Sequence, residues 1–175
     1  MSHKEPKAER DMMLELTADL EGESDRALAI VAAAYLDHLL RRWITQELGL
    51  DARPEAAMFL FEGFNAGLAT FSSRIHMAKH LGLLSEEDAR DLTLVRRVRN
   101  EFAHSFTGVS FQSQGIADRC WELAAAKVGE QPPSARECYQ KASVRLMVSI
   151  LLEVQSLKRG DRTGGQGDSQ DNVKS

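Results

Sequence analysis

The chain has 175 residues, of which 43% are hydrophobic, 27% charged and 6% aromatic. That is the length of one domain, with enough apolar matter for a core, and it excludes global disorder. A net charge of −4 and a pI near 5.8 give no overall basic field, so any contact with DNA or RNA needs a local patch.

Four prolines are too few to punctuate a many-stranded β-sandwich. Cys120 and Cys138 have no CxxC partner, which leaves a zinc ribbon or a disulfide scaffold unsupported. No apolar run approaches the roughly 18 residues that span a bilayer, and the polar start MSHKEPKAERDMM is no secretory signal. The expectation is a reduced, cytoplasmic protein with no membrane contact and no metal or other cofactor.

A first helix is predicted over Pro6–Leu20, and Gly22 breaks it, so residues 1–22 form an N-terminal helix or arm. Ser24 is an N-cap with Asp25 in the first turn of a helix running to Leu48. Its apolar positions are Leu28, Val31, Tyr35, Leu39, Trp43 and Ile44. After the connector LDARP, Pro54 suits a helical first turn. Ala56–Leu68 reads as a short helix and a bend, because Gly63 and Gly67 interrupt it.

Thr70–Leu81 returns to a helical pattern, and Ser85 with Glu86, Glu87 and Asp88 is a strong start for a helix to His104. Gly108–Gly115 reads as loop, Asp118–Lys127 as a short helix, and Pro132-Pro133 as a turn. The last helix, Ala135–Leu157, is expected to bury Val144, Met147, Val148, Leu151 and Val154. From Arg159 the composition turns to Gly, Asp, Gln and Ser, which predicts a disordered tail over 159–175. The whole is an all-α, single-domain helical bundle of about six to seven helices, its main body at 23–158.

The segment LTLVRRVRNEFAHSF, residues 92–106, carries the chemistry-bearing side chains. On a helical wheel Val95, Val98 and Phe102 centre a buried stripe flanked by Leu92 and Phe106. Arg99 falls on its border, where a guanidinium needs a partner. Arg96, Asn100 and His104 line a different face at four-residue steps. One reading is a solvated face with a histidine at a helix C-terminus.

The other reading is catalytic. Histidine can exchange a proton near neutral pH, and arginine can stabilise charge on a phosphate. Arg99-Asn100-x-x-x-His104 resembles the motif of HEPN-type helical ribonucleases, an Arg and a His separated by four to six residues. That likeness implies metal-independent RNA cleavage by Arg99 and His104, with Asn100 orienting them.

A broader likeness covers Glu23 to Phe106. The blocks ESDRALAIVAAAYLDHLLRRWI, LFEGFNAGLATFSSRIHMAKHLGLLS and LVRRVRNEFAHSF together resemble the mannitol operon repressor family. The resemblance implies an all-helical, cytoplasmic regulator of transcription, without catalysis and as a homodimer. No helix-turn-helix or basic arm is present for operator DNA, so action through a protein co-regulator is expected. It also implies a groove bordered by Asn65, Phe71, Ser72, Arg74 and Arg96 with the Arg99 helix, and with Asp25 and Arg26 nearby. The plainer alternative for Arg74 and Asp25 is an interhelical ion pair. His76 and His80 have a spacing that can bind zinc, but no third ligand is evident. Cys120 beside Trp121 reads as packed, and Arg41-Arg42 as a helix surface.

Overall fold

The computed structural model describes residues 5–63, 65–127 and 133–159. Among them are seven α-helices and no strand: α1 Glu5–Glu21, α2 Asp25–Glu47, α3 Pro54–Phe61, α4 Phe71–His80, α5 Glu86–His104, α6 Gln114–Trp121 and α7 Ala135–Arg159. Short 3-10 turns at Leu50–Ala52 and Ala124–Lys127 complete the list. The all-α bundle expected from the sequence is the one found. The predicted tail lies outside the described residues, apart from Arg159, which closes α7.

Local sequence fixes most helix starts. Ser24 accepts from the Ala27 amide at the head of α2, and Ser85 Oγ accepts from the Asp88 amide at the head of α5. Thr70 and Ser73 cap α4 reciprocally. Ser134 and Glu137 do the same for α7, and these bonds hold the Glu137 carboxyl below its ordinary pKa. Gly49, at φ 61, carries the left-handed residue that follows α2.

α2 forms the centre, packed against α4, α5 and α7. Its buried residues are Leu28, Ala29, Ala32, Ala33, Leu36, Leu39, Leu40, Trp43 and Ile44, an arc of about 160° on the helix. Val31 and Tyr35, read from the sequence as part of the apolar pattern, lie outside that arc at 50% and 39% exposure. The three alanines decide the difference, since small side chains let neighbouring helices approach closely and so define the buried face. Tyr139 of α7 donates its hydroxyl to the Ala29 carbonyl at 2.9 Å, and α1 lies on α7 with Gln140 donating to the Thr17 carbonyl.

Three other expectations are corrected. α6 begins at Gln114, inside the predicted loop, and ends at Trp121, because Ile116, Ala117 and Cys120 form its buried stripe. Phe106 does not flank the α5 stripe. Ser105 turns extended at φ −91, ψ 124, so Phe106 leaves the helical path and is 98% exposed. Phe111 fills the core instead, its ring 5.0 Å from Phe102 and 5.2 Å from Tyr139. Leu151 is only half-buried, whereas Val144, Met147, Val148 and Val154 are buried as expected.

Replacing Leu36 by Ala should cost about 2–5 kcal/mol, because the side chain is fully enclosed. Val31→Ala should change stability by less than about 0.5 kcal/mol. Urea unfolding of the two variants checks the assignment, and equal losses would contradict it.

Candidate functional site at the C-terminal end of α5

Toward its N-terminus α5 is covered on two sides, so that Ala89 and Leu92 are buried along with Leu94, Val95, Val98 and Phe102. Past Leu92 the cover on the Ala89–Leu92 side ends. Arg99, Ala103 and His104 are exposed there, and Arg96 and Asn100 half-buried, making one polar face over the last two turns. The bordering arginine was expected to need a partner, and its Nη1 donates to the Asn100 Oδ1 at 3.0 Å, although the residue is exposed. His104 has no hydrogen-bond or ion-pair partner among the described residues, and Arg96 Nε is buried without one. The three motif residues thus share one open face: Asn100 and His104 lie one turn apart, and Arg99 is drawn toward them.

Asp25 and Arg26 set the position of this helix end from below. Arg26 Nη1 donates to the Phe102 carbonyl and Nη2 to the Ser105 carbonyl, the latter at 2.6 Å. These are orphan carbonyls of a helix C-terminus, satisfied here by a cation. Asp25 accepts from the Phe111 amide at 3.0 Å and pairs with Arg136 Nη1 at 2.7 Å. One dipeptide therefore ties α2 to α5, to the segment after it and to α7.

The remaining groove residues lie elsewhere. Arg74 does not pair with Asp25. Its partner is Asp37 at 2.5 Å, about 18 Å further along α2, and it also donates to the Leu68 and Ala69 carbonyls. Its guanidinium stands 5.8 Å from the Phe61 ring centre. Phe71 and Ser72 are half-buried in the first turn of the same α4, and Asn65 is exposed in the loop before it. Asp25 and Arg26 thus belong with the motif face, and Arg74 with a second cluster around Asp37.

Two acids paired with arginines escaped the sequence reading, Asp91, which is buried, and Asp37, which is half-buried. Asp91 is fully buried, accepts from the Ala124 amide at 3.3 Å and pairs with Arg145 at 3.0 Å, while Arg145 also holds Asp88 at 2.7 Å. Burial pushes the Asp91 carboxyl above its ordinary value despite these bonds. A signal was present: Asp91 falls on the same helical stripe as Val95, Val98 and Phe102, and Asp37 on that of Ala33, Leu40 and Ile44. Their arginine partners are remote in sequence and carried no such signal.

His80 Nδ1 lies 2.7 Å from the His76 carbonyl oxygen, and the described residues contain no cluster of three metal-binding side chains. Cys120 and Cys138 are buried thiols, and burial pushes the first up to about 12.

The molecule is thus an all-helical bundle whose distinctive polar residues gather at helix ends around a central helix. No protein-family model matches the sequence, and no curated protein does. Among solved structures the chain is similar to MtlR in the X-ray structure of the MtlR–HPr complex from Escherichia coli. The TM-score is 0.59 at 20% sequence identity, over 84% of this chain and 98% of that one. Identity at this level shows a shared fold, the one that the likeness to the mannitol operon repressor family implied.

Arg26→Ala should destabilise the protein by about 1–3 kcal/mol, since it strips two carbonyls of a charged donor. His104→Ala should stay within about 0.5 kcal/mol of wild type, because the side chain is exposed. Chemical unfolding distinguishes the two, and a large loss for His104→Ala would make that residue structural.

Proposed function

We propose that this chain is a cytoplasmic transcriptional regulator of the mannitol operon repressor type, acting through a protein partner. The observation that carries the reading is the shared fold, which extends over 98% of the MtlR chain. MtlR was crystallised with HPr, and a protein of HPr type is the partner proposed here. The surface suits such a role. Val31 and Tyr35 on α2 and Met58 and Phe59 on α3 remain exposed, the kind of apolar area a protein partner covers. No helix among the described residues is long and apolar enough to cross a membrane.

Titration calorimetry of the full chain with purified Escherichia coli HPr tests the partner. Saturable one-to-one binding at about 10 μM or tighter supports the reading, and the absence of heat at about 100 μM of both proteins contradicts it.

One observation favours a second reading as a HEPN-type ribonuclease. Arg99, Asn100 and His104 share an open face, with Arg99 bonded to Asn100. In that chemistry His104 would transfer the proton at a ribose hydroxyl while Arg99 neutralised the developing phosphorane charge. Incubation with RNA in the presence of a chelator should then yield fragments, and His104→Ala should abolish them at unchanged thermal midpoint. Intact RNA with well-folded wild-type protein would rule this reading out.

A further inference from the structure

A groove of about 290 Å³ runs between α4 and α5, away from the motif face. Four side chains able to carry positive charge line it: His76 and Lys79 from α4, Arg90 and Arg97 from α5. Against them stand two acids. Lys79 pairs with Glu86 at 2.8 Å, and Arg90 reaches Glu122 at 3.5 Å. Both pairs are largely exposed, and exposed pairs hold weakly, so a better acceptor can recruit either cation.

The side chains of His76 and Arg97 have no hydrogen-bond or ion-pair partner among the described residues. Glu101, the acid one turn beyond Arg97, is 3.5 Å from Arg119 instead. In a chain of net charge −4, the groove thus holds four potential cations against two acids, a local excess of donors. Ile75 and Ala89, both buried, close the floor, which lowers the local dielectric and strengthens any charge placed above it.

We propose that this groove binds a small doubly charged oxyanion, a phosphate monoester or a dicarboxylate. Arg97 supplies the planar fork that meets two oxygens at once. His76 donates an N–H from the opposite wall, and Arg90 joins from about two turns along α5. The volume is at the low end for metabolite sites, which run from about 300 Å³ upward, so it excludes a dinucleotide. The site does not rest on the regulatory reading, since it needs no partner protein, and it would give such a regulator an effector.

The test is calorimetric titration of the full chain with inorganic phosphate, glycerol 3-phosphate and succinate, each against sodium chloride at equal ionic strength. Saturation by at least one dianion, with a midpoint below about 1 mM, is expected, and chloride should give none. Arg97→Ala should weaken binding at least about tenfold and His76→Ala about threefold or more. Both side chains are exposed, so circular dichroism should show unchanged folding. Arg42→Ala, on the exposed side of α2, should leave binding intact. Succinate binding alone assigns the site to dicarboxylates and phosphate binding alone to monoesters. Heats equal to those of chloride, undiminished binding by Arg97→Ala, or equal loss with Arg42→Ala would each overturn the proposal.

Discussion

Helix α2 must be enclosed. Nine of its residues are buried on an arc of about 160°, far more than the stripe of an ordinary surface helix. A helix so apolar has no stable place except between others, and α4, α5 and α7 supply the walls. Ala29, Ala32 and Ala33 set how near those walls can come. The rest of the architecture follows from this requirement, because each covering helix must end where α2 offers it a partner. At the N-terminus of α2, Asp25 and Arg26 are those partners, one for the segment at Phe111 and for α7, the other for the last carbonyls of α5.

Within the apolar packing, two ionic clusters select which helix faces which. Arg145 bridges Asp88 and Asp91 between α7 and α5, and Arg74 joins α4 to α2 through Asp37. Apolar contacts alone tolerate rotation and sliding, whereas a buried carboxylate must meet its cation at one position. Asp91 shows the balance of terms, since desolvation outweighs its bonds to Ala124 and Arg145. Such a pair adds little net stability, but losing one partner strands a charge in a dry interior.

Helix α5 serves three surfaces at once. One stripe goes to the core, the side carrying Arg90 and Arg97 opens on the groove beside α4, and the C-terminal turns present Arg99, Asn100 and His104 to solvent. Both polar surfaces stand on a helix that is held at each end, by the Ser85 cap and by Arg26. A ligand or partner contacting either surface meets a rigid element, which limits the ordering cost of binding.

The sequence by itself determined the helical class, the position of most helices and the caps at Ser24 and Ser85, because these depend on interactions within a few residues. It also marked the Arg99–His104 segment and the likeness to the mannitol operon repressor family. It misjudged the buried face of α2, where three alanines outweighed Val31 and Tyr35, and the fate of Phe106, whose place Phe111 takes. Only the tertiary structure decided that Arg74 meets Asp37, that Asp25 meets Arg136, and that α4 and α5 leave a cationic groove between them. Each of these depends on residues brought together from distant parts of the chain, and periodicity along one helix holds no information about which neighbour will cover it.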